Sequence, residues 1–141
     1  PALPPTLKVL DCAGNVLGNL PARLPPTLID LSCSENELTR LPKLPSTLRD
    51  LSCFENKLTL LPKLPSTLKT LDCGSNPLTR LPTLPPTLEI LDCRDAKIHE
   101  LPTLPSTLKE LSCDRTIDLP PLPYALEMLN GKPFESDSES D

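Results

Sequence analysis

One short segment repeats along most of the chain, and this periodicity restricts the fold more than any other feature. The residues follow the pattern L-P-x-T-L-x-x-L-x-C-x-x-N-x-L-x-x-L-P, and six such units fit, with a seventh beginning at Leu122. One step of 21 residues and four of 20 separate the cysteines of the pattern: Cys12, Cys33, Cys53, Cys73, Cys93 and Cys113. Repeats of this length are typical of solenoids, in which each unit buries its apolar face against its neighbours.

Apolar and polar residues alternate around each cysteine, as they do in a short strand. Leu10 and Cys12 share one side of the first predicted strand, while Val9, Asp11 and Ala13 share the other. The 20 prolines recur at fixed offsets beside leucine, which favours extended return segments over helix. The sequence therefore predicts a leucine-rich-repeat solenoid with a curved parallel β-sheet on its concave side. Its convex side is expected to be extended or irregular, with little or no helix.

Paired Leu-Pro dipeptides, such as Leu61-Pro62 and Leu64-Pro65, distinguish these units from longer, helix-bearing repeats. From about Leu3 to Leu129 the chain resembles the short leucine-rich repeats of bacterial secreted effectors, the YopM and IpaH group. The resemblance implies delivery into the cytoplasm of a host cell and capture of a host protein. It also implies that some relatives join such repeats to a ubiquitin-ligase domain, which does not occur in this sequence.

The two ends of the chain depart from the repeat. We expect residues 1–129 to form the solenoid, with six repeats of about 20 residues and a partial seventh, and residues 130–141 to hold a cap remnant and a disordered acidic tail. The exit cap is expected between Tyr124 and Phe134, and an upstream part is expected to precede Pro1. Ser136 and Ser138 each precede an acid by three residues, as in sites of acidophilic kinases.

The charge balance argues against several classes of partner. The net charge is −5, but the last seven residues hold four of the 19 acids, so the repeats carry 15 acids against 14 basic residues. A nearly neutral body is unlike a nucleic-acid-binding domain, which carries a basic excess. No apolar run is long enough to cross a membrane and no signal pattern is present. We expect neither nucleic acid nor membrane as partner.

The six cysteines recur in the inward column, where a free thiol acts as a small apolar side chain. Neighbouring cysteines would lie near enough for a disulfide, but their parallel Cβ vectors would strain it. Zinc sites need closer ligand pairs with histidines nearby, and His99 is the sole histidine. We predict buried free thiols in a reducing cytosol, with no metal, no cofactor and no catalytic residue. An asparagine column is expected to bond the backbone of the adjoining turns: Asn15, Asn36, Asn56 and Asn76.

Side chains on the outward side of the strands do not pack in the core, and we expect them to form the binding surface. Acids dominate it, which favours a protein partner with a basic surface, although a merely solvated acidic face is the alternative. Phe54, flanked by Ser34, Ser52 and Gly74, is the candidate anchor residue. The predicted binding residues are Asp30, Asp50, Phe54, Asp72, Ile90, Asp92, Arg94, Glu110 and Asp114.

Three functions remain open on the sequence alone. The first is a non-enzymatic protein-binding module. The second is the substrate-recognition part of a larger enzyme such as a ubiquitin ligase. The third is a self-associating structural piece, because exposed ends of a solenoid can stack.

Overall fold

One three-residue strand per repeat stacks against the next in the computed structural model, which describes residues 2–134. The strands are β1 (Val9–Asp11), β2 (Asp30–Ser32), β3 (Asp50–Ser52), β4 (Thr70–Asp72), β5 (Ile90–Asp92), β6 (Glu110–Ser112), β7 (Met128–Leu129) and β8 (Lys132–Pro133). They form one sheet in chain order, and β1 to β7 pair in parallel. Residues 2–134 contain no α-helix, and hence none that could cross a bilayer. The predicted fold class is confirmed.

The core is a set of leucine columns that run the length of the stack. The central leucine of each strand from β2 to β6 is at most 1% exposed: Leu31, Leu51, Leu71, Leu91 and Leu111. Leucines of the proline-rich return segments, such as Leu61 and Leu64, pack against the same interior. Burying one such side chain stabilises the fold by roughly 1.5–3 kcal/mol, and a column forms only when neighbouring repeats are in register.

The threonine of the repeat pattern forms a hydrogen bond to the preceding repeat, a role that the sequence did not predict. The hydroxyl of Thr67 donates to the carbonyl oxygen of Leu48 at 2.6 Å. Equivalent bonds of 2.7 Å are made by Thr27, Thr47, Thr87 and Thr107. Each repeat therefore satisfies a backbone carbonyl of the repeat before it, at a place where the extended chain supplies no donor of its own.

The asparagine column bonds the backbone between repeats as well as within them. The Nδ2 of Asn56 donates to the carbonyl oxygens of Cys53 at 3.1 Å and of Cys33, in the previous repeat, at 3.0 Å. Its Oδ1 accepts the N–H of Leu38 at 3.0 Å. Asn36 and Asn76 make the same set of bonds. Asn15 is exposed and bonds only its own repeat.

The thiols of the cysteine column face the interior. Cys33, Cys53, Cys73, Cys93 and Cys113 are buried, Cys12 in the first repeat is partly exposed, and all six are free. Burial disfavours the thiolate and raises the pKa of Cys33 and of Cys93 to about 12. These side chains pack as small apolar groups, and the buried thiols stay protonated at any physiological pH.

An antiparallel hairpin ends the sheet, a feature that the prediction of a parallel sheet did not include. Leu129 pairs with Lys132 across Asn130 and Gly131, whose φ angles of 52° and 76° fit a two-residue hairpin turn. Pro133 lies in the edge strand, where it removes a donor from the exposed edge. Phe134 packs against the core, whereas Tyr124, at the start of the expected cap, is 97% exposed.

We predict that Asn56→Ala lowers the free energy of unfolding by about 2–3 kcal/mol, because it leaves the buried N–H of Leu38 without an acceptor. Asn15→Ala is the matched control and is expected to change it by less than about 1 kcal/mol. Urea denaturation of both variants measures the difference. Equal losses would mean that the bonds between repeats contribute nothing.

We predict that one thiol, Cys12, reacts quickly with a disulfide reagent in the folded protein, and that the other five react only after denaturation. Cys12→Ser should remove the fast phase and leave the slow phase unchanged. The absorbance of the released chromophore counts the thiols in each phase. A second fast thiol in Cys12→Ser would contradict the burial of the column.

Candidate functional site

The outward side chains of β1 to β6 form a polar surface with one acid in every repeat. Because the strands pair in register, equivalent positions stand in columns about 4.8 Å apart. The acids are Asp11, Asp30, Asp50, Asp72, Asp92 and Glu110, and we refer to them together as the concave acidic face. Apart from Asp92, none of these six forms an ion pair with any residue in the described range 2–134.

Asp30 and Asp50 lie side by side at the start of β2 and β3, where the strand register makes them direct partners. Burial and then the charges of Asp50 and Asp11 raise the pKa of Asp30. Like charges at this spacing destabilise the folded sheet unless a cation compensates them. This half of the concave acidic face therefore carries uncompensated negative charge.

Asp72 and Asp92 form a second adjacent pair, but here the protein supplies a cation. The Nη2 of Arg94 lies 2.8 Å from Oδ2 of Asp92, and its Nε donates to Oδ1 at 3.1 Å. Asp72 has no such partner: its Oδ1 accepts the N–H of Gly74 at 3.3 Å, and burial, together with Asp92, raises the pKa of Asp72. Arg94 therefore bonds only Asp92, and its charge lowers the pKa of Asp72 less than burial raises it.

A depression of about 370 Å³ opens beside Asp72 and Asp92. We name it the Phe54–Arg94 depression after the side chains of its outer repeats; its other lining residues are Asp72, Gly74, Ser75, Asp92 and Asp95. Four of the predicted binding residues, Phe54, Asp72, Asp92 and Arg94, thus lie around one cavity. Ser75 and Asp95, which are not among the predicted binding residues, have positive φ angles of 51° and 54° and also line the depression.

The remaining predicted binding residues divide into two groups. Ile90 and Glu110 are exposed on the first strand position. Asp114 is half-buried, and its carboxylate accepts the N–H groups of Asp95 at 3.0 Å and Ala96 at 3.3 Å, where the repeat has lost its asparagine. This carboxylate is engaged in holding a turn, so a structural role competes with the binding role expected for Asp114.

Ser34, expected to face outward beside Phe54, is only 1% exposed. Its hydroxyl lies 2.8 Å from that of Ser52 in the next repeat, which explains why a polar side chain is accommodated there. Phe54 itself is half-buried, and its ring is accessible from the side of Gly74. Ser136 and Ser138 lie outside the described residues. Within residues 2–134, no group of three or more His, Cys, Asp or Glu side chains is arranged to hold a metal ion.

Solved structures with the same architecture come from bacterial effectors. The chain is similar to YopM from Yersinia enterocolitica WA-314, with 41% identity and a TM-score of 0.85 over 97% of this chain and 31% of that one. It is also similar to a Shigella effector LRR domain, with 39% identity and a TM-score of 0.77 over 83% of this chain and 53% of that one. YopM of Yersinia pestis, described as a leucine-rich effector protein, matches at 27% identity and a TM-score of 0.62, over 92% of this chain and 50% of that one.

These similarities confirm the resemblance inferred from the Leu-Pro dipeptides. The chain spans between about a third and about half of the length of these proteins. No family model matches the sequence, and a search of curated proteins found no match.

We predict that Asp72→Asn raises the free energy of unfolding by a few tenths of a kcal/mol near neutral pH, a small gain because the side chain is half-exposed and solvent screens its charge. A raised pKa means that the folded state binds the proton of Asp72 more tightly, so wild-type stability falls as pH rises through that pKa. The gain should vanish toward about pH 4. Urea denaturation at both pH values measures it, with Glu37→Gln as the equal-charge control. A loss of stability at neutral pH would contradict the prediction.

Proposed function

We propose that this chain, a leucine-rich-repeat domain of the type found in YopM and the Shigella effector, is a non-enzymatic module that binds a protein with a basic surface. The single observation that carries the proposal is the concave acidic face: six acids in successive repeats, of which one has an intramolecular cation. A basic partner would compensate the other five. Such complementarity accelerates association and selects partners by charge.

The proposed contact residues combine charge with apolar surface. Asp30, Asp50 and Asp72 supply carboxylates, while Phe54 and Ile90 supply apolar area on the same side of the sheet. Interfaces commonly have a few aromatic or apolar anchors surrounded by polar contacts that exclude water. This mixture favours a protein ligand over a small ion, which would use the carboxylates alone.

The similarity to effectors supports a place of action in the cytoplasm of a host cell and a role in virulence. The buried free thiols suit this compartment, because a reducing cytosol keeps them unpaired. The partner is then a host protein.

A second candidate function is the substrate-recognition part of a larger enzyme, such as a ubiquitin ligase. It is compatible with the similarity to an effector LRR domain, since this chain spans 31% of the Y. enterocolitica YopM and 53% of the Shigella domain. The chain would bind its partner in the same way in both cases, so the two functions differ in what is joined to the repeats.

We predict that Asp50→Lys/Asp72→Lys weakens capture of the partner from host-cell lysate by at least about tenfold, because the reversed charges repel a basic surface. The matched control is Glu37→Lys/Glu100→Lys, which changes net charge equally on the return segments. Lys57 and Arg80 occupy the equivalent positions of other repeats, so the control should fold. Captured proteins are quantified by mass spectrometry, and thermal unfolding verifies both variants.

The partner retained by wild type should also be released as salt rises. Equal capture by both folded variants would show that the concave acidic face is not the contact surface.

A further inference from the structure

The Phe54–Arg94 depression is lined at its centre by a glycine, Gly74, where the neighbouring repeats carry larger side chains. The position two residues after each strand carries Ala13, Ser34, Phe54, Gly74, Arg94 and Asp114 in successive repeats. Phe54 and Arg94 lie two repeats apart, which separates their backbones by roughly 10 Å. Gly74 stands between them and has no side chain. A Cβ built there would lie only 3.0 Å from the carbonyl oxygen of Arg94 and 3.6 Å from Oδ1 of Asp92, so the next repeat packs closely against this glycine.

Two planar side chains line the Phe54–Arg94 depression. On one side is the aromatic ring of Phe54, which is half-buried. On the other is the guanidinium of Arg94, which is oriented by its two bonds to Asp92 and raised in pKa by that carboxylate. Because the guanidinium of Arg94 is engaged by Asp92, the aromatic ring of Phe54 is the planar surface of the depression on which another planar group can stack.

The carboxylates that line the Phe54–Arg94 depression favour a positively charged ligand. Asp72 is half-buried there, and within the described residues no protein donor reaches its Oδ2. Asp92 and Asp95 also line the cavity, so its three carboxylates outweigh the single guanidinium. A cation is favoured over a neutral ring. A volume of about 370 Å³ lies at the small end of the range of about 300–1,000 Å³ for ligand sites, so it suits one side chain.

We infer that the Phe54–Arg94 depression binds a single arginine side chain of the partner, stacked on Phe54 and paired with Asp72. This inference rests on the proposed function and adds the anchor by which the partner is held. Arginine fits better than lysine, because its planar guanidinium can stack on the ring and donate two parallel bonds to a carboxylate. An ammonium group can do only the second, and as a point charge.

The raised pKa of Asp72 agrees with this assignment. Its carboxylate is destabilised by burial and by Asp92, and the positive charge of an added guanidinium would act against both effects. The same side chain would cover the exposed edge of Phe54. Asp30 and Asp50 attract cations too, but they do not line the Phe54–Arg94 depression.

The test is a titration of the isotopically labelled chain with Nα-acetyl-arginine amide, followed by NMR. We expect millimolar binding, with the largest amide shifts at Phe54, Gly74 and Ser75. Nα-acetyl-citrulline amide, which has the same shape but no charge, should not bind, and the lysine analogue should bind several-fold more weakly.

Three variants separate the depression from general acidic attraction. Asp72→Asn, which keeps an acceptor for the N–H of Gly74, and Phe54→Leu, which removes the aromatic ring, should each weaken arginine binding at least about fivefold. Asp30→Asn should leave it unchanged. The NMR spectra establish that each variant is folded before it is titrated.

Shifts spread along the whole face, or equal effects of Asp30→Asn and Asp72→Asn, would overturn the arginine site while leaving a basic partner in place. Absence of binding at the highest usable concentration would overturn it as well. Conversely, local arginine binding without any capture of protein through the concave acidic face would support the site and refute the proposed function.

Discussion

The in-register stacking of neighbouring repeats is the constraint on which the rest of this structure depends. No repeat has a core of its own: a leucine such as Leu71 is buried because equivalent leucines lie above and below it. The register is secured by polar bonds of fixed length, from Thr67 to the previous repeat and from Asn56 to two backbone carbonyls. A shift by one residue would break these bonds and turn every leucine toward solvent.

The same register creates the surface on which a function can be proposed. Residues 20 positions apart become neighbours, so single acids in separate repeats become adjacent charges, as with Asp30 and Asp50. The sheet cannot separate them without losing the leucine columns. The buried leucines stabilise the fold despite this repulsion, and a cation supplied by a partner would reduce the repulsion. Adjacent exposed charges of the same sign lower the stability of the free protein and favour the binding of a partner of opposite charge.

Local departures from the repeat are where the molecule differs from a uniform stack. Where Ala96 stands in place of the asparagine, the N–H groups of Asp95 and Ala96 are accepted by the carboxylate of Asp114 in the next repeat. The hairpin of β7 and β8 ends the sheet. Its Asn130-Gly131 turn is a common hairpin signal, but it lies outside the repeat pattern. Gly74, which has no side chain, lines the Phe54–Arg94 depression. In each case the effect of one or two residues depends on the repeats beside them.

The sequence by itself determined the solenoid, the parallel strands of the repeats and the inward side of the leucines and cysteines, because these follow from a period of about 20 residues and a two-residue alternation. It also brought Phe54, Asp72 and Asp92 to one face. Only the tertiary structure decided that Arg94 pairs with Asp92 and not Asp72, that Ser34 is buried against Ser52, and that a cavity lies over Gly74. These depend on side-chain directions and on the fit between adjacent repeats, which periodicity does not encode.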